Sequence, residues 1–181
     1  ILSPEDAFRF ARGEEVKSNT GQMAKLKRPL DWIVITDHSD GMGTINEIRA
    51  GNPEMISDPF LKRMFEAMNG TDQEEAAAAT MELIARQSTG KLPKQLMDPR
   101  WMVSAWEKTA NIADKYNEPG KFSAMIGYEF TPNPGGGNNL HRNVIYRDGA
   151  DLAVKELPLT SFQTMDPEKL WECMEKNEAK T

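Results

Sequence analysis

Two spacings of apolar residues recur along this chain, and they predict a succession of helices and short strands. Ser3-Pro4-Glu5-Asp6 reads as a helix start, with Ser3 as N-cap, Pro4 at the first helical position and Asp6 completing a capping box. Ala7, Phe8, Phe10 and Ala11 follow, and Gly13 ends the run. Asp31-Trp32-Ile33-Val34-Ile35-Thr36 is short, continuous and rich in β-branched residues, the pattern of a strand buried on both faces. Asp37-His38-Ser39-Asp40-Gly41 breaks it. Helical spacing returns from Asp58 to Met68, where Phe60, Leu61, Met64, Phe65 and Met68 share one face. Thr71 with Glu74 predicts a capping box for a second helix reaching Gln87. Asp98-Pro99 opens a third, with a stripe of Trp101, Met102, Ala105, Trp106, Thr109, Ile112, Ala113 and Tyr116 before Gly120. Strands are predicted at Phe122–Thr131 and Leu140–Tyr146, joined by a flexible Pro-, Asn- and Gly-rich loop. Asp166-Pro167 starts a last helix through Leu170, Trp171 and Met174.

Strands separated by helices belong to α/β folds with a mainly parallel sheet, in which chemistry collects at the C-terminal ends of strands. The 181 residues, 39% of them apolar, suit one domain, with 43–120 as a helical insert inside it. A net charge of −6 argues against a nucleic-acid backbone binder. It leaves room for a phosphorylated substrate, because a metal can bring positive charge locally. The single cysteine, Cys173, excludes an intrachain disulfide and reads as a helix-packing residue. No run approaches the ~20 apolar residues of a membrane span.

Three polar features stand beside the predicted strands. Thr36-Asp37-His38 lies where a strand ends. Histidine is the commonest metal ligand, and an acidic neighbour such as Asp37 can fix its tautomer; a turn histidine reads equally well. In Gly127-Tyr128-Glu129-Phe130 a carboxylate sits in an apolar strand, which is costly unless it is paired, metal-bound or turned to solvent. Asn139-Leu140-His141-Arg142-Asn143 gathers amides, an imidazole and a guanidinium that could fork onto a phosphate. The Gly triplet is no phosphate-cradling loop, since no Gly-Lys-Ser/Thr follows and no helix is predicted there. His38 and His141 are the chain's two histidines. With Glu129 they form a candidate, incomplete metal constellation.

These residues carry a resemblance. Leu2 to Glu14, Leu26 to Asp31, Ile35-Thr36-Asp37-His38, Ile126-Gly127-Tyr128-Glu129 and Asn139 to Val144 together resemble a bacterial family known as domain of unknown function 3604. That family is similar to the polymerase-and-histidinol-phosphatase (PHP) superfamily. The resemblance implies part of a distorted β/α barrel with Zn, Mn or Fe ions at its C-terminal face, and a phosphoesterase acting through metal-activated water. It assigns His38, Glu129 and His141 as metal ligands, Asp37 as an outer residue or general base, and Arg142 and Asn139 as substrate contacts. It also implies a small-molecule phosphate ester as substrate, no nucleic-acid partner and a periplasmic or exported location. The superfamily's His-x-His pair and its later His and Asp-x-His ligands have no counterpart here. A single incomplete domain over 1–181 is therefore expected, with the remainder of a parent chain supplying ligands before Ile1 and after Thr181. Two other readings stay open: an amidohydrolase-type amide or ester hydrolase, and a binding domain whose metal site has decayed. The insert, above all Gly90 to Trp101, is expected to line the approach to His38.

Overall fold

The computed structural model describes residues 2–179, with backbone alone at 136 and 137. Ile1 and 180–181, beyond which the further ligands are expected, lie outside the described residues. In chain order the elements are α1 (Pro4–Ala11), β1 (Val16–Lys17), β2 (Met23–Ala24), β3 (Trp32–Ile35), α2 (Thr44–Arg49), α3 (Pro53–Ile56), α4 (Pro59–Asn69), α5 (Gln73–Ser88), a 3₁₀ turn (Lys94–Met97), α6 (Pro99–Tyr116), β4 (Ser123–Phe130), α7 (Pro134–Gly137), β5 (Arg142–Ile145), α8 (Ala150–Ala153) and α9 (Pro167–Glu178).

The helix starts follow from their capping chemistry. At α1 the Asp6 amide donates to the Ser3 hydroxyl while the Ser3 amide donates back to the Asp6 carboxylate, closing the capping box. Asp58, Asp98 and Asp166 cap α4, α6 and α9, each followed by a proline whose missing N–H is not needed there. The cap of α5 differs from the predicted one. Asp72, not Thr71, accepts from the Glu74 and Glu75 amides, at 2.9 and 3.1 Å. A charged acceptor at the positive end of a helix is the stronger of two neighbouring candidates. The Gly-rich segment also departs from expectation, because it winds into the single helical turn α7.

The strands form two small open sheets, and no closed barrel is present among the described residues. β1 and β2 make an antiparallel hairpin. The other sheet has the order β3-β4-β5, with β3 parallel to β4 and β5 antiparallel to it. The sheet is thus mixed rather than mainly parallel. A parallel neighbour needs a long crossover, which the helices of 43–120 supply. The short 131–141 link after β4 can only return the chain antiparallel. Nor is β3 buried on both faces: it is an edge strand, Trp32 is 57% exposed, and Ile33 to Ile35 are only half-buried.

Alternation along β4 sorts its residues. Ala124, Ile126, Tyr128 and Phe130 join Val144 of β5 in a core covered by Phe8 of α1 and Trp106, Ala110 and Ala113 of α6. Buried in it, the Trp106 indole donates to the Ala153 carbonyl at 3.0 Å. A second core, built from Ile48, Met55, Phe60, Leu61, Met64, Ala67, Ala79 and Leu96, lies wholly within 43–120. α6 serves both cores: Trp101, in its first turn, packs on the second and Trp106 on the first. Gly43 shows how closely α6 meets the loop after β3. It has φ +84°, and a Cβ there would stand 2.6 Å from the Trp101 carbonyl oxygen. No helix of the described residues is long and apolar enough to cross a membrane.

Candidate metal centre

Backbone pairing brings the three candidate ligands together. Beyond the end of β3 the parallel ladder continues for one more step. The Glu129 amide donates to the Asp37 carbonyl and the Ser39 amide donates to the Glu129 carbonyl, both at 2.9 Å. His38 is thereby set directly beside Glu129. Paired residues share a face, and His38 Nδ1 lies 2.6 Å from Glu129 Oε2. From the other side, β5 places Asn143 opposite Glu129. His141, two residues earlier, falls on the same face by alternation. Its Nδ1 lies 3.3 Å from the same carboxylate oxygen. The two imidazoles meet edge to face with centroids 5.5 Å apart. Gly127, two residues before Glu129 on that face, allows this closeness: a Cβ there would stand 2.7 Å from Val34 Cγ2 and 2.8 Å from the Val144 carbonyl oxygen.

One donor atom from each of His38, Glu129 and His141 lies within 4.8 Å of the others. With metal–ligand bonds of about 2.0–2.2 Å, donors sharing one ion stand roughly 3–3.5 Å apart. The His141–Glu129 separation fits that spacing, while His38 and Glu129 are in closer contact. His141 Nε2 is shielded from solvent and has no hydrogen-bond partner. A buried ring nitrogen left unpaired costs on the order of 1–3 kcal/mol, but Nε2 is not the nitrogen beside Glu129, so the fit to a divalent ion rests on the chemistry of the donor set, two imidazoles and a carboxylate. The site is also lopsided. The His141 side chain is 19% exposed and Glu129 23%, but His38 is 64% exposed and leaves one flank open.

The remaining candidates are placed differently. Asp37 is exposed, and alternation along the extended chain puts it on the face opposite His38. Arg142 pairs with Phe130, whose side chain is in the core, so it too springs from the face away from Glu129. One of its guanidinium nitrogens donates to the Leu140 and His141 carbonyls at 2.7 and 2.9 Å, bracing the loop that carries His141. Asn139 supports the same loop through its side-chain oxygen, which accepts from the His141 amide at 3.2 Å. Asn143, opposite Glu129, was named in the sequence but given no role; period-two counting from His141 would have put it on the donors' face. Thr131, too, was given no role in the sequence reading. It is 2% exposed, and its hydroxyl has no partner. From the insert, Gln87 at the end of α5 reaches Asp40, two residues past His38, at 2.5 Å. Leu96 to Pro99 line a cleft of about 220 Å³ together with Gly41, Met42 and Phe162.

The whole sequence, residues 1–181, matches the profile of a family described as "Protein of unknown function (DUF3604)". The chain belongs to the DUF3604 family. No curated protein and no solved structure matches it. For this member of the family, what can be said of chemistry therefore rests on the His38–Glu129–His141 geometry itself.

Proposed function

We propose that this chain carries part of a divalent-metal site, for Zn, Mn or Fe, in a hydrolase of small phosphate esters built on a PHP-like barrel. The observation that carries the reading is the convergence of His38, Glu129 and His141 on one face of the β3-β4-β5 sheet. Two imidazoles and a carboxylate suit a borderline cation of this kind. Such an ion would supply a water of lowered pKa and positive charge for the phosphoryl oxygens.

The chain's own residues have separable parts in this reading. Glu129 is the shared carboxylate, approached by both histidines through the same oxygen. His141 is seated in the loop that Asn139 and Arg142 brace. His38 forms the open flank toward substrate. Three protein donors are fewer than a two-metal hydrolytic site uses, so the reading assigns its other ligands to groups outside these residues.

The test is metal analysis of the protein purified with Mn or Zn in the medium, followed by assay against phosphate monoesters and diesters, amides and lactones. The expected outcome is bound metal that is lost in His38→Ala and Glu129→Gln, with turnover confined to phosphate esters. Turnover of amides or lactones instead would move the protein to an amidohydrolase-type activity. A protein that takes up no metal would be a binding domain with a decayed site.

A further inference from the structure

We infer that Asp40 is a positioning residue which, together with the segment 159–161, fixes His38 against β4. The His38 side chain is 64% exposed. It meets the Glu129 carboxylate and the edge of His141. On its N-terminal side the chain is strand. On its C-terminal side it is a turn, in which the Met42 amide donates to the Ser39 carbonyl at 3.2 Å. The orientation of the imidazole therefore depends on how Ser39 and Asp40 are tied down.

Both of those residues are tied to the same distant segment. Ser39, fully buried, donates its hydroxyl to the Leu159 carbonyl at 2.8 Å. Asp40 accepts from the Ser161 amide at 2.7 Å and from the Ser161 hydroxyl, and Gln87 Nε2 donates to it at 2.5 Å. These donors are all neutral, so the Asp40 carboxylate acts as a three-point acceptor. The strap is anchored to the other half of the site as well. The Leu159 amide donates to the Tyr128 hydroxyl at 3.4 Å, and Tyr128 immediately precedes Glu129 on β4. Thr160 and Ser161 are 4% and 6% exposed, so water does not compete for these bonds. The segment 159–161 thus spans from the residue beside Glu129 to the residues beside His38. Gln87 adds the position of α5 to the same junction.

Ring proton contacts in the metal-free protein test this directly, and they do not depend on the proposed metal chemistry. The chain has two histidines, so their ring signals are few and assignable. The wild type is expected to show nuclear Overhauser cross-peaks between the His38 and His141 rings. Asp40→Ala and Ser161→Ala are expected to lose them. Leu170→Ala, which loosens the helix-covered core instead, is expected to keep them at comparable loss of melting temperature. If Asp40→Ala does not fold, Ser161→Ala and Gln87→Ala decide by the same cross-peaks. Cross-peaks retained in Asp40→Ala or Ser161→Ala, or absent from the wild type, overturn the inference. A second measurement rests on the metal reading: affinity for Co(II), followed by its visible spectrum, should fall about 10–100-fold in the same variants, the usual effect of losing an outer-shell partner. A wild type that binds no Co(II) would sink the metal reading, while the cross-peaks would still decide the role of Asp40.

Discussion

The two faces of β4 do different work with alternating residues of one strand. Toward α6 lie Ala124, Ile126, Tyr128 and Phe130, closed over by Trp106 and Phe8. On the other face lie Met125, Gly127 and Glu129, with Trp32 and Val34 of β3 and Asn143 and Ile145 of β5 as their neighbours. Trp32 and Ile145 are 57% and 45% exposed. The covered face is where apolar burial holds the fold. The open face ends in the cluster of two imidazoles and a carboxylate. A single period-two register thus separates what keeps the domain folded from what would carry the proposed chemistry, and substitutions one residue apart should report on different properties.

Phe130→Ala is the largest test of that separation. Phe130 is fully buried, and its truncation is expected to cost about 3–5 kcal/mol in denaturant unfolding, with metal bound per folded molecule unchanged. Its neighbour gives the reciprocal case. Glu129→Gln is expected to lower Co(II) or Mn(II) affinity by more than about 100-fold, while stability moves by less than about 1 kcal/mol. Equal losses of stability in the two variants would break the comparison. Gly127→Ala sits between them. The added methyl meets a side chain and a backbone oxygen inside 3.0 Å, so strands must separate, at about 1–3 kcal/mol. Because that separation lies just below Glu129, titration should also show weaker metal binding. Trp32→Thr, on the open face at the sheet edge, should be the mildest, within about 0.5 kcal/mol by thermal melt. A large loss there would mean that the face is covered in solution.

Much of the fold was legible in advance where the signal is local. Capping chemistry placed the starts of α1, α6 and α9, since Ser3, Asp98 and Asp166 act on amides two or three positions away, while helical spacing placed α4. The cap of α5 was misread by one residue because Thr71 and Asp72 offer competing acceptors, and only the folded geometry chooses between them. The hairpin β1–β2 and the short helices α2, α3 and α8 went unseen, since two to six residues hold too little periodicity to register. The burial of β3 was overestimated for a related reason. A β-branched run records a preference for apolar surroundings, but not whether any element arrives to provide them.

The candidate site divides in the same way. The sequence by itself marked His38, Glu129 and His141, because polar groups at the ends of apolar strands stand out without any three-dimensional knowledge. It also settled the membership of this chain in DUF3604, which is an ordered likeness of residues. Only the tertiary structure decided which of the marked residues meet. Strand register brought His141 to Glu129 and turned Arg142 and Asp37 to the other face, since one step along a strand reverses a side chain. Only the tertiary structure, too, could connect Asp40 with Ser161 and Gln87, which lie 121 and 47 positions away. Hydrogen bonds at such separations leave no periodic trace along the chain. They exist because the packed cores carry distant segments to one corner of the sheet.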